Sequence, residues 1–185
     1  MAGNVTAYAL LWAVFVVWGF NYMLEDIASL GTWSNFLHKV NLPFHEFGHL
    51  LFGIFGNFMG SLGGTLGQLL MPIVAGVALL RSRADTFGAS LCLWWFGENF
   101  LDIAPYMADA RAGELLLLGG NHGKFSPYGF HDWEFILGET GLLSYDTLLA
   151  AITLNLGRAI MLLAMAWGGY LLWCTRDGRS TGLAG

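Results

Sequence analysis

The sequence predicts an all-α polytopic membrane protein of about five transmembrane helices, a single membrane-embedded domain over residues 1–185. Three observations predict it. Of the 185 residues, 56% are apolar and only 11% are Asp, Glu, Lys or Arg, against about 25% charged residues in an ordinary soluble domain. The apolar residues gather in runs, several of them near the roughly 20 residues that cross the hydrocarbon core of a bilayer. Short polar or glycine-rich segments separate the runs, and one extended polar stretch, residues 111–146, stands apart as an outer loop.

Each element follows from its residues. Residues 7–24 form the first run; no basic segment precedes it and no small-residue cleavage site follows, so it reads as a retained span and not a signal peptide. Glu25 and Asp26 end it. In residues 27–43, Leu30, Trp33, Phe36, Leu37 and Val40 fall near helical spacing between polar residues. They make an interfacial helix or the first turns of the next span. Residues 44–58 are apolar except for His45, Glu46, His49 and Asn57. That run reaches only about 22 Å, so the second span is complete if it begins near Ser34 and kinks at Pro43. Gly60 to Gly64 interrupts the pattern. The third span covers residues 65–80, with Gln68 and Pro72 inside it. A polar loop with Arg81, Arg83 and Asp85 follows. The fourth span, residues 86–110, carries Glu98, Asn99, Asp102 and Asp109, and the fifth covers residues 147–173. An excess of Arg marks cytoplasmic loops. The Arg81/Arg83 loop and the Arg176/Arg179 tail are therefore expected in the cytoplasm, and the N-terminus and outer loop on the other side of a cytoplasmic (inner) membrane.

The formal net charge is −5, from 8 basic and 13 acidic residues. The basic residues are scattered and form no patch, which argues against a nucleic-acid partner. Two cysteines, Cys92 and Cys174, are too few for a disulfide framework and read as small packed hydrophobes.

The strongest local signal is His45-Glu46-Phe47-Gly48-His49, an H-E-x-x-H pattern. Histidines at i and i+4 lie one above the other on a helix face, so both imidazoles can bind one Zn²⁺. The intervening Glu46 is then placed as general base toward water at the metal. Ionisable groups within an apolar helix are costly, which favours function over packing. Zinc needs a third protein ligand. Asn99, Asp102, Tyr106 and Asp109 are spaced 3, 4 and 3 and share one helix face. Counting from Ser34 and Thr86, His49 lies about 22 Å into its span and Asp102 about 24 Å into its own, while Asp109 lies near the far interface at about 35 Å. Depth therefore selects Asp102, with Asp109 as an alternative.

His131-Asp132-Trp133-Glu134 is a second polar cluster. Asp132 can N-cap a short helix over residues 133–137. Alternatively the loop folds back, and His131 or Asp132 becomes a ligand, an oxyanion stabiliser or an outer partner of the metal site. His38 and His122 have no motif around them and read as solvent-facing. Gly56, Gly60 and Gly64 recur at four-residue spacing, which either permits close helix approach or makes a turn between spans. Gln68 is placed to line a hydrated cavity.

An H-E-x-G-H on a membrane helix, followed by a glycine-rich stretch and a later membrane helix with Asn and Asp on one face, resembles the site-2 protease family of intramembrane zinc metalloproteases. The likeness runs from about residue 41 to 109. It implies His45 and His49 as zinc ligands, Glu46 as catalytic base, an Asp of the later helix as third ligand, and peptide-bond hydrolysis in or near transmembrane segments. Asn99 matches the family's Asn, which helps orient substrate. The order Asn99, Pro105, Asp109 follows the family, but the spacing is stretched, which keeps Asp109 open. The expectation is a membrane-embedded zinc metalloprotease acting on membrane proteins. Its rivals are a zinc-dependent membrane lipid amide or ester hydrolase, and a non-enzymatic membrane subunit.

Overall fold

The computed structural model describes residues 2–30, 35–116, 122 and 131–176. Arg179 and most of the outer-loop tip, including Gly119, Gly120 and Lys124, lie outside the described residues. The described chain is helical: α1 (Ala2–Leu24), α2 (Ile27–Leu30), α3 (Phe36–Phe52), α4 (Asn57–Arg83), α5 (Thr86–Ala108), α6 (Asp132–Glu139) and α7 (Asp146–Arg176). No strand occurs among the described residues, only an isolated bridge between Leu116 and His122.

Among the described residues, three helices are long and apolar enough to cross a membrane: Val5–Leu24, Asn57–Arg83 and Leu143–Arg176. That is two fewer than the five expected. Asn35 caps α3, its side chain accepting from the Leu37 N–H, so the helix begins at Phe36, close to the expected start, but it ends at Phe52 and the rest of the apolar run turns into α4. At 17 residues α3 is about 26 Å long. α5 has 23 residues, but Glu98, Asn99 and Asp102 lower its hydropathy. Pro43 lies inside α3, as expected.

The chain forms two compact units. The first comprises Met1–Glu25, Met71–Glu98 and Gly157–Gly185. Aromatic packing holds it: Trp94 meets Phe15 edge-on at 5.0 Å and Trp18 at 5.7 Å. The Trp12 indole N–H donates to the Met165 carbonyl at 2.9 Å, over the small surface of Gly168 and Gly169.

The second unit, Asp26–Leu70 and Asn99–Leu156, contains every residue of the H-E-x-x-H pattern. Its core is Ile103, Met107 and Ala110 from α5 and its C-terminal turn, Leu137 from α6 and Ala150 from α7, with Trp133 and Leu69 packed against them. The apolar side of α6 thus fastens it to α5 and α7.

The glycine-rich stretch is not a break between spans. The chain reverses one turn earlier, at Gly56, whose φ of 104° is open to glycine and strained for other residues. Gly60, Gly63, Gly64 and Gly67 then lie inside α4. They serve close approach to α3: a Cβ on Gly48 would collide with the Gly63 carbonyl oxygen, and one on Gly67 with that of Phe44. Small residues at such spacing let helix backbones touch.

Candidate metal centre

The inward stripe of α3 is Leu37, Asn41, His45 and Gly48, spaced 4, 4 and 3. Phe36, Phe47, Leu50 and Leu51 on the remaining surface are exposed. The same helix therefore presents an apolar face outward and a row of polar groups inward. Ligand atoms of His45, Glu46 and His49 lie within 4.8 Å of one another and can hold a metal ion. They are the only such trio of His, Cys, Asp or Glu among the described residues.

The outer partners of both imidazoles decide which ring nitrogen is available. His45 Nδ1 lies 2.7 Å from the Gln68 side-chain oxygen, and the Gln68 amide N–H donates in turn to Asp102 Oδ2 at 3.5 Å. A carboxylate only accepts, so this chain fixes the amide with its oxygen toward His45 and makes His45 Nδ1 the donor. His49 Nδ1 donates to the Gly60 carbonyl at 2.7 Å. Each ring thus has its Nδ1 held by an outer acceptor and its Nε2 on the other side, the orientation that histidines of metal sites adopt.

Asp102 is not in the ligand group. Its carboxylate accepts from His38 Nδ1 at 2.9 Å, from the Asn41 amide at 3.1 Å and from Gln68. His38 is thus a partner of this buried carboxylate and not a solvent-facing residue. Asp109 accepts the backbone N–H groups of Glu114 (2.8 Å) and Leu115 (3.0 Å), closing the turn after α5. His131 N-caps α6, Nδ1 accepting from the Glu134 N–H at 3.3 Å, and its Nε2 lies 3.4 Å from Asp109 Oδ2. Its ring stacks on Tyr106 at 4.2 Å. Burial, opposed by the nearby Asp109 and Asp132, lowers the His131 pKa. Asn99, on α5, is fully buried at 0% exposure and is not in the ligand group.

The residue that does reach the histidines is Asp132. Because His131 takes the cap, Asp132 becomes the first residue of α6 and its carboxylate is free to turn inward. Oδ2 lies 3.4 Å from His45 Nε2 and 3.4 Å from His49 Nε2, and accepts from the Tyr106 hydroxyl at 3.2 Å. The Tyr106 oxygen also accepts the Asp132 N–H at 3.2 Å. Burial pushes the Asp132 carboxyl up, but the two imidazoles outweigh it and hold the pKa at about 2.

The His-Asp-Trp cluster raised Asp132 as one possible ligand, but helical depth favoured Asp102; nothing in the spacing indicated which side chain the loop would return. Comparison with protein-family models, curated proteins and solved structures gave no match. What defines the class is therefore the architecture and the site: an all-helical chain with membrane-length helices and an H-E-x-x-H group able to hold a metal ion.

Proposed function

We propose that this protein is a membrane-embedded zinc metallopeptidase that hydrolyses peptide bonds in or near transmembrane segments. The observation that carries the reading is the pair of histidines on α3, both Nδ1 atoms engaged by acceptors, grouped with Glu46 so that ligand atoms of the three lie within 4.8 Å of one another. A bound Zn²⁺ would supply Lewis-acid polarisation of the scissile carbonyl and a more acidic water. His45 and His49 would hold it. Glu46, partly exposed next to them, takes a proton as water adds to the carbonyl carbon, then delivers it to the amide nitrogen as the C–N bond breaks. Zinc is the metal that an H-E-x-x-H helix ordinarily selects.

In this reading α3 and α5 also cross the bilayer, giving five spans. The exposed Phe36, Phe47, Leu50 and Leu51 of α3 support that placement. Arg81, Arg83 and Arg176 support a cytoplasmic location for the ends of α4 and α7 in an inner membrane, which in a five-span topology leaves the outer loop with α6 on the opposite side.

The test uses the full chain in detergent or vesicles with a panel of transmembrane-peptide substrates and with phospholipids. Wild type loaded with zinc cleaves peptide and leaves lipid intact, and Glu46→Gln retains zinc but loses cleavage by about a thousandfold or more. Lipid cleavage without proteolysis would replace the reading with a lipid hydrolase. Zinc binding with neither activity would leave a non-enzymatic metal protein.

A further inference from the structure

We propose that Asp132, carried into the site by the loop helix α6, is the third protein ligand of the metal held by His45 and His49. This inference rests on the metallopeptidase reading above.

The distances support it first. Asp132 Oδ2 stands 3.4 Å from both Nε2 atoms. Charge-assisted N–H···O bonds are shorter, about 2.7–2.9 Å. Two ligand atoms each about 2.1 Å from one zinc and separated by the tetrahedral angle lie about 3.4 Å apart. The spacing is longer than such a hydrogen bond and matches the separation expected of two ligands of one zinc ion.

Proton positions support it next. With Nδ1 of His45 donating to Gln68 and Nδ1 of His49 donating to Gly60, the two Nε2 atoms are the ring atoms turned to the one carboxylate oxygen. Positive charge belongs among these three atoms. Protons on the imidazoles supply it in the absence of metal, and a metal ion displacing them joins all three.

The surroundings prepare Asp132 for this role. His131 takes over the cap, Tyr106 holds the carboxylate from α5 through its hydroxyl, and Trp133 and Leu137 anchor α6 in the core. Asp102 is occupied by His38, Asn41 and Gln68, and orients His45 from behind through Gln68. The ligand set is therefore two histidines from a membrane helix and a carboxylate from a loop, with Asp102 in the outer shell.

Metal binding by the detergent-solubilised full chain tests this, with zinc affinity and stoichiometry measured for wild type, His45→Ala, Asp102→Asn and Asp132→Asn. Wild type should bind one zinc and His45→Ala none. Asp102→Asn should keep one zinc with about 10–100-fold weaker affinity, the usual effect of an outer-shell change. Asp132→Asn should lose more than about 100-fold. A second variant, Asp132→Cys, is loaded with Co²⁺: a thiolate ligand adds an intense thiolate-to-cobalt charge-transfer band absent from wild type, which a structural role for Asp132 would not produce. Wild type without metal would overturn the metallopeptidase reading and this inference together. Wild type with one zinc, an unchanged affinity in Asp132→Asn and no thiolate band in folded, cobalt-loaded Asp132→Cys would overturn the inference alone.

Discussion

Gly64 lies against the imidazole of His45: a Cβ at position 64 would fall 2.6 Å from Cε1 and 2.7 Å from Cδ2 of that ring, and closer still to Nε2. The α4 glycine stripe therefore does more than bring two helices together. It hollows out the space in which a metal-directed nitrogen sits.

Gly64→Ala should consequently impair the site while changing a single methyl group. The ring must move by several tenths of an ångström, taking Nε2 off the point where it meets His49 and Asp132. Zinc affinity should fall about 10–100-fold, on the scale of disturbed outer-shell partners, with helix content by circular dichroism unchanged. Affinity equal to wild type would show that the ring has room that the geometry denies it.

Gln68 connects a buried carboxylate to a metal-directed histidine. Gln68→Leu keeps the bulk and removes both hydrogen bonds, leaving His45 Nδ1–H without its acceptor and Asp102 with one donor fewer. Each buried polar group left unsatisfied costs about 1–3 kcal/mol. The variant should melt lower and bind zinc about 10–100-fold more weakly. Gln68→Glu, which retains an acceptor for His45 but sets a second carboxylate against Asp102, should recover affinity less well than stability tests alone would indicate. Calorimetry and zinc titration on the two variants separate the roles.

Much of this was legible in the sequence because it depends on local periodicity. The helical class, the apolar runs of α1, α4 and α7 and the i, i+4 pairing of His45 with His49 all follow from spacing along one helix. Two of the five expected spans are not membrane-length apolar helices, since α3 ends at Phe52 before the turn at Gly56 and the acidic residues of α5 lower its hydropathy. The meaning of Gly60–Gly64 was undecidable without α3: glycines that make a turn and glycines that admit a neighbouring backbone look alike in a single chain. The partners of His38, Asn41 and Gln68 were invisible for the same reason, as each hydrogen bond joins residues more than twenty positions apart. Helical depth matched Asp102 to His49 and found a true neighbour of the site, one residue removed from the histidines.

The contact of α3 with α4 rests on backbone against backbone. A Cβ on Gly48 would meet the Gly63 carbonyl, and one on Gly67 the Phe44 carbonyl, atoms that cannot rotate away. Gly48→Ala and Gly67→Ala should each force the helices apart and destabilise the protein by about 1–3 kcal/mol, read as a lower melting temperature in detergent. Gly53→Ala, where nothing lies within 4 Å, is the control and should melt like wild type. Gly48 lies between the two histidines, so its replacement should weaken zinc binding as well, whereas Gly53→Ala should not.

Glu46 belongs to the trio able to hold a metal, yet its proposed task is to move a proton. Thermal unfolding with and without metal distinguishes a ligand from a base. A metal that binds only the folded chain stabilises it by about 2.7 kcal/mol at a concentration 100 times its dissociation constant. Wild type should melt higher in zinc, and a chelator should reverse the shift. His45→Ala should show no shift, having lost a ligand. Glu46→Gln should keep nearly the whole shift, because an amide removes the base and leaves the two imidazoles and the Asp132 carboxylate in place. If Glu46→Gln instead loses the shift as His45→Ala does, Glu46 is holding the metal, and the proton transfer assigned to it must belong to another group.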